Sequence, residues 1–111
     1  MTQHTERIGG LVRTRASAPA GATTRIQFDS TTGNPATVFV RNNASNASIT
    51  VAATPDDAGA LAPLVCPLSI GNAGSIPAGS TASTVLPSPL RAILITVPAD
   101  ADAAAEVVVL E

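Results

Sequence analysis

Few side chains in this sequence are of the types that perform acid–base, nucleophilic or metal-centred chemistry. His4 is the only histidine, and without a second histidine or a cysteine beside it, it cannot complete a zinc site or a Ser–His triad. Two carboxylate pairs, Asp56-Asp57 and Asp100 with Asp102, could bind Ca²⁺. Calcium, however, takes about six to eight oxygen ligands, and no loop has EF-hand spacing. We interpret these acids as turn formers and predict no enzyme activity, metal or cofactor.

The remaining polar motifs and the single thiol have ordinary structural explanations. Gly9-Gly10 is not followed by the Lys-Ser/Thr of a phosphate-binding loop. Cys66 lies between apolar neighbours, which predicts a buried small side chain, and one cysteine cannot form an intrachain disulfide. Asn43 and Asn46 each begin a glycosylation sequon. Because no secretory signal follows Met1, we interpret both as polar residues of an exposed hairpin loop.

The composition describes a chain with little charge and few aromatic side chains. Six Arg and eight acidic residues give 111 residues a net charge of −2; Lys, Trp and Tyr are absent, and Phe occurs twice. A nucleic-acid partner would favour a basic face, and the apolar runs are far shorter than a membrane span, so we predict neither partner. Charged residues make up 13%, against about 25–35% on the surface of small soluble domains. A surface of Ala, Ser, Thr, Asn and Pro is typical of a protein that neighbours cover.

The N-terminal 22 residues differ from the rest of the chain in charge and pattern. Residues 1–25 carry a net charge of +3, whereas residues 92–111 carry −4. Residues 16–22 consist of small residues and Pro, which predicts a linker without structure of its own. We therefore predict an N-terminal arm and linker over residues 1–22. The arm would dock on an acidic partner surface through three arginines and three apolar residues: Arg7, Ile8, Leu11, Val12, Arg13 and Arg15. The alternative is a solvated or self-folded terminus.

From residue 23 onward the pattern is typical of short β-strands. Apolar and polar residues alternate, and clusters rich in Gly, Pro, Asn and Asp separate the runs. Pro63 and Pro67 favour a sheet edge or a crossing segment over residues 61–70, and residues 99–106 favour a hairpin connection over a short helix. Strands are predicted over residues 24–28, 36–41, 48–54, 81–86, 90–97 and 105–110. Six to eight such strands predict an all-β domain over residues 23–111: a small antiparallel β-sandwich or jelly-roll-like barrel with an extended N-terminal arm.

Three stretches of this β-rich region carry a resemblance to a known family. They are Asn42-Asn43 with Ile49-Thr50-Val51, then Ile76-Pro77-Ala78-Gly79-Ser80-Thr81, then Ile93-Leu94-Ile95-Thr96-Val97. They resemble small β-sandwich structural proteins of tailed bacteriophage virions, in particular head decoration (cement) proteins, over about residues 23–111. The resemblance implies a protein without enzymatic activity that binds the outside of the capsid lattice. It also implies trimers, and an N-terminal arm that contacts the major capsid protein.

The function hypothesis is a non-enzymatic capsid decoration protein on the virion surface, assembled in the host cytoplasm. Binding only to the assembled shell would stabilise that shell by mass action. The predicted partners are the major capsid protein and further copies of the chain, in a homo-oligomer such as a trimer. The alternative is a carbohydrate- or receptor-binding module of a tail fibre or adhesin, which would favour exposed Trp or Tyr. An enzyme or enzyme inhibitor is least favoured, because no nucleophile–base pair is present.

Overall fold

A computed structural model describes residues 3–8, 11–27, 35–54, 66–67, 70–71, 73–86 and 92–111. The regular structure of these residues is β-strand throughout. The ten strands are β1 (Gln3–Ile8), β2 (Leu11–Ala18), β3 (Ala22–Gln27), β4 (Ala36–Asn42), β5 (Ile49–Thr54), β6 (Cys66–Pro67), β7 (Ser75–Ile76), β8 (Thr81–Leu86), β9 (Ala92–Val97) and β10 (Ala105–Leu110). Within the described ranges, no helix has the length and apolar character needed to span a membrane.

The strands form two antiparallel sheets through nested pairing. The first sheet has the order β1-β2-β10-β4-β8, and the second has the order β3-β9-β5-β6, with β7 also paired to β5. β2 pairs with β10, β3 with β9, β4 with β8 and β5 with β6, as in one long hairpin. The hairpin is rolled up so that β10 meets β4 and β9 meets β5. This topology is a jelly roll of eight strands, with β1 added at one edge, and it confirms the predicted fold class.

Alternate residues of each strand fill the space between the two sheets. In β4 the buried residues are Ala36, Val38, Val40 and Asn42, while Phe39 points outward. The largest fully buried side chains of the described residues are all Ile and Val, so the core is aliphatic. Because side chains alternate between the faces of a strand, the two-residue period decides which side chains enter this core.

Most predicted strands are confirmed within the described residues. β3, β4, β5, β8, β9 and β10 coincide with the predicted runs to within two residues. The stretch 99–106 forms a loop and the start of β10 rather than a helix, as predicted. β6 lies at the edge beside β5, as predicted for residues 61–70. Phe28, the turn residues 29–34, Asp56-Asp57 and residues 61–65 lie outside the described residues.

The N-terminal segment forms strands of the sandwich. β1 and β2 pair as a hairpin with Ile8 opposite Leu11, and β2 pairs with β10 along its length. Where a linker was predicted over residues 16–22, Ala16 and Ala18 are buried in β2, because a small side chain fits between the sheets. The turn into β3 contains Gly21 at φ +82°, which a residue with a Cβ rarely adopts. An arm that acts separately from residues 23–111 stays a prediction.

Candidate interaction surface

The outward-pointing side chains of the first sheet form one continuous surface, here called the outer face of the first sheet. Strand register places its residues in rows that cross the sheet. One row contains Glu6, Arg13, Leu110, Thr37 and Val85; the next contains His4, Arg15, Val108, Phe39 and Ser83; the third contains Ser17, Glu106, Arg41 and Thr81. Antiparallel partners in such rows lie about 4.5–5.5 Å apart, so the side chains of a row contact each other.

Apolar side chains of this outer face lie on three adjoining strands, from β10 through β4 to the edge strand β8. Phe39 is 38% exposed and Val85 is 64% exposed, and they are the two large hydrophobic residues named as exposed among those described. Val108 and Leu110, the neighbours on β10, are half-buried. Val38 and Val40 take the inward positions of β4, so Phe39 between them must point outward. Exposed apolar groups that adjoin one another and have a polar rim mark interaction sites.

Two ion pairs frame the apolar residues. The Arg13 Nε donates a hydrogen bond of 2.7 Å to Glu6 Oε1, and a second guanidinium nitrogen contacts the same oxygen. This hydrogen bond lowers the pKa of Glu6 below its ordinary value of 4.5. On the other side, Arg41 Nη1 lies 3.7 Å from Glu106 Oε2. Both pairs join neighbouring strands; the Glu6–Arg13 pair is half-buried and the Arg41–Glu106 pair is exposed. Ion pairs near the surface contribute little stability, so their main effect is on the distribution of charge over the face.

Arg15 lies in the row between these two pairs and is exposed. No salt bridge joins Arg15 to a carboxylate of the described residues. Two shallow grooves, of about 250 and 120 Å³, meet at Arg15, Glu106 and Val108. Phe39 lines the smaller groove and His4 the larger one. Here a guanidinium group that can donate hydrogen bonds to a carboxylate lies beside apolar side chains.

The structure brings together two of the six residues predicted for the arm. Arg13 and Arg15 lie on the outer face of the first sheet, whereas Arg7 is exposed in register with Val12 on the opposite side. Val12 is only 1% exposed and belongs to the core of the single chain. Ile8 and Leu11 pair at the end of the β1–β2 hairpin, and their side chains lie outside the described residues. Partner binding by these residues stays a prediction.

Sequence reasoning missed the residues that share the outer face of the first sheet with Arg13 and Arg15. They come from three distant strands: Phe39, Arg41, Val85, Val108 and Leu110. One sequence signal pointed to an exposed apolar residue: Phe39 occupies an outward position in a predicted strand whose inward positions are already apolar. That signal does not say which other outward residues lie beside it, because the neighbours depend on strand order.

Polar side chains join the β4–β5 and β9–β10 loops at one end of the sandwich. The backbone N–H of Ser45 donates to Asp102 Oδ1 at 2.8 Å, and its hydroxyl donates to the other carboxylate oxygen. These bonds lower the pKa of Asp102 below its ordinary value of 3.8. Asn46 donates to the Asp100 carbonyl at 2.7 Å and accepts from the Asp102 N–H at 3.0 Å. Among the described residues, no three His, Cys, Asp or Glu are grouped as metal ligands.

A different surface lies on the outer face of the second sheet. A hollow of about 500 Å³ is lined by three threonines, one serine and apolar residues that include Leu94. Register places Thr23, Thr96, Thr50 and Ser75 in one row across four strands. The hydroxyls of Thr23 and Thr96 are 2.9 Å apart and hydrogen-bonded. The hollow contains no charged lining residue, so it offers neutral hydrogen-bonding groups to a ligand.

The fold and these surfaces define a small jelly-roll protein with an apolar, arginine-bearing sheet face. No family model matches the chain, and no curated protein matches it. Among solved structures it is similar to a chain from Bacillus endospore appendages, described as a novel family of disulfide-linked pili. The TM-score is 0.55 at 14% identity, over 98% of this chain and 86% of that chain. At this identity the similarity shows the fold. It gives no specific support to a bacteriophage decoration protein.

Proposed function

We propose that this chain is a non-enzymatic structural subunit of a multi-copy protein assembly. The observation that carries the proposal is the outer face of the first sheet, where Phe39 is exposed in the same groove as Arg15 and Val85 is exposed on the edge strand β8. As a subunit, the chain would bury the exposed part of Phe39 against a neighbour, which a solitary domain leaves in water. Aromatic and arginine side chains are also enriched at the centres of protein interfaces.

The fold comparison and the composition support a structural role. The similar solved chain comes from endospore appendages that are described as pili. Those pili are disulfide-linked. This sequence has one cysteine, and one thiol per copy can link copies only in pairs. We therefore assign the cohesion of the assembly to non-covalent contacts of the sheet face.

For the identity of the assembly, we propose a virion capsid that the chain decorates by binding the major capsid protein. The support is the sequence resemblance to head decoration proteins and the arginines of the N-terminal strands. Arg13 and Arg15 would contact carboxylates of the capsid surface, and Phe39 on the same outer face would be buried against the shell, whereas Arg7 lies on the other side of β1. The pilus-like fold favours a second candidate, a subunit of a surface appendage outside the cell.

Mass spectrometry of purified particles distinguishes these candidates. Virions and surface appendages from the producing cells would be purified separately and digested. We expect stoichiometric amounts of this chain in virions for the capsid candidate, and in appendages for the second one. Absence from both kinds of particle, with the protein free in the soluble fraction, would contradict the proposed function.

Two variants of the outer face and one control variant test whether this face binds the particle. Arg15→Glu and Phe39→Ser change the outer face of the first sheet, whereas Arg25→Glu makes the same charge change on the second sheet. We expect the first two to weaken binding to the particle at least about tenfold, as for interface hot spots, and the control to weaken it far less. Equal losses in all three would show that the first sheet does not make the contact.

The hollow on the second sheet favours one further function, a carbohydrate-binding module. Its hydroxyl row could hydrogen-bond a neutral sugar, and Leu94 supplies apolar contact. The chain lacks Trp and Tyr, which usually stack on sugars, so this candidate ranks below the structural one. A glycan array with the purified protein tests whether the chain binds carbohydrate. Specific binding that Thr50→Val abolishes would support the module, and an empty array would remove it.

A further inference from the structure

The first sheet has two edges that differ in chemistry. β1 forms one edge and carries His4, Glu6 and Arg7. β8 forms the other edge, with the sequence Thr-Ala-Ser-Thr-Val-Leu, and its far side pairs with no described strand. Proteins usually protect such edges with charged residues or proline, because unpaired backbone groups bind other strands. β8 has neither protection, and Val85 on it is 64% exposed.

The backbone groups of β8 that face the open edge can be assigned from its pairing with β4. The N–H of Asn42 donates to the carbonyl of Ser80 at 2.9 Å, so Asn42 and Ser80 form a hydrogen-bonded pair. Hydrogen-bonded and non-hydrogen-bonded pairs alternate along an antiparallel ladder. Ala82, Thr84 and Leu86 therefore bond to β4. The residues between them, numbers 81, 83 and 85, direct N–H and C=O groups away from the sheet.

We propose that two copies of this chain pair through β8 in an antiparallel dimer with one continuous ten-stranded sheet. Neighbouring strands of the first sheet are antiparallel, so in a five-stranded sheet β1 and β8 run in the same direction. A translated copy with its second sheet on the same side would join β8 to β1 in parallel. A twofold axis normal to the sheet instead joins β8 to β8 antiparallel, the pairing that is slightly more stable per residue.

The side chains of β8 fix the register of this dimer. Within β8, residues 81, 83 and 85 are those whose outward backbone groups bond to no other described strand, so the register that uses all three places Ser83 opposite Ser83 and Thr81 opposite Val85. Both partners in each pair then point to the outer face, and Thr84 and Leu86 stay on the buried side. A shift of this register by one residue would set outward residues of one copy opposite inward residues of the other and would mismatch their backbone hydrogen-bonding groups. No like charges meet, because β8 has none.

The dimer stands independently of the assembly role, since it requires only the purified chain. It would bring Val85 and Phe39 of both copies onto one extended outer face, because Phe39 lies opposite Ser83 in the same sheet. Failure of the dimer would leave particle binding by Arg15 and Phe39 untouched, and failure of particle binding would leave the dimer untouched.

Light scattering during size-exclusion chromatography, over concentrations up to about 1 mM, tests the proposal. We expect the wild type to shift from monomer to dimer as concentration rises. Ser83→Lys and Ser83→Glu each place like charges opposite one another across the axis and should weaken dimerisation at least about tenfold. A mixture of the two variants should form a heterodimer, which also shows that both fold. Ser48→Lys, on an exposed loop, adds the same charge away from β8 and should dimerise like the wild type.

Amide hydrogen exchange by NMR supplies a residue-level readout. Amides 82, 84 and 86 should be protected at every concentration, whereas amides 81, 83 and 85 should become protected only as dimer forms. A wild type that stays monomeric to about 1 mM would overturn the proposal. A dimer that Ser83→Lys does not weaken, or a charge mixture that forms no heterodimer, would overturn it as well.

Discussion

The two faces of the first sheet are built from the same strands and differ in what their residues contact. Val38, Val40 and Val109 point inward and are fully buried against the second sheet. Their immediate neighbours Phe39 and Val108 are also large and apolar, yet they lie on the outer face. In a sandwich with one solvated side, outward positions are usually polar. Most described outward positions of the first sheet follow this rule, and Phe39, Val85, Val108 and Leu110 are its apolar exceptions.

Asn42 is the converse case, because it is a polar residue on the inner face and is buried. Its side-chain nitrogen donates to the carbonyls of Ala47 at 2.8 Å and Ile76 at 3.0 Å. Its side-chain oxygen accepts from the Ala44 N–H at 3.0 Å. The inner face thus accepts a polar side chain only where every hydrogen bond is satisfied. The outer face has no such requirement, because water can bond its polar groups. Substitutions on the inner face should therefore lower the free energy of unfolding more than substitutions on the outer face.

The largest expected effect of this contrast is at neighbouring asparagines. Asn42→Ala leaves three backbone groups without their partner in the interior, and we expect the free energy of unfolding to fall by about 3 kcal/mol. Asn43→Ala removes exposed bonds to Ala104 and Glu106 and should cost about 0.5 kcal/mol or less. Urea denaturation followed by circular dichroism measures both. Similar losses would mean that Asn42 does not tie β4 to the adjoining loops.

The next largest effect is the difference in stability loss between substitutions at the inward Val40 and at the adjacent outward Phe39. Val40→Ala removes two buried methyl groups and leaves a cavity, so we expect a loss of about 2 kcal/mol. Phe39→Ala removes more atoms from a partly exposed position and should cost the free monomer about 1 kcal/mol or less. The same denaturation experiment applies. A Phe39→Ala loss larger than that of Val40→Ala would show that the outer face already stabilises the single chain.

The inner face could be predicted from the sequence because it depends on a local pattern. Alternation along β4, β9 and β10 predicts which residues are buried without knowledge of the strand order. The N-terminal hairpin was missed although Gly9-Gly10 between two alternating runs is a hairpin signal. Arginine charge and the small residues 16–22 favoured an arm and linker instead. Alanine in a thin sandwich is a core residue, and composition alone does not distinguish the two roles.

The outer face could not be predicted, because its residues meet only through the rolled topology. Arg15, Val108 and Phe39 are neighbours because β10 lies between β2 and β4. Their separations along the chain contain no periodicity that indicates this order. The arginines and the low surface charge could be recognised from the sequence, whereas the apolar residues on the same face could be recognised only from the fold.

The smallest expected effect is the pH dependence of the ion pair at the rim of the outer face. The hydrogen bond from Arg13 lowers the pKa of Glu6 below 4.5, so the folded protein favours the charged carboxylate. The pair therefore contributes stability above the pKa of the unfolded chain, and that contribution is lost as the pH falls through the folded pKa. Glu6→Gln should lower Tm slightly at about pH 7 and leave it unchanged at about pH 2.

An NMR titration of the Glu6 carboxyl checks the same pair directly. We expect a midpoint below 4.5 in the wild type and a rise toward 4.5 in Arg13→Gln, whereas Arg41→Gln, which pairs with Glu106 instead, should leave it unchanged. A Glu6 midpoint at 4.5 in the wild type would mean that Arg13 is not held by Glu6. Arg13 and Arg15 would then both lack a salt bridge within the described part of the outer face, which would favour an acidic partner more strongly than its ion pairs now indicate.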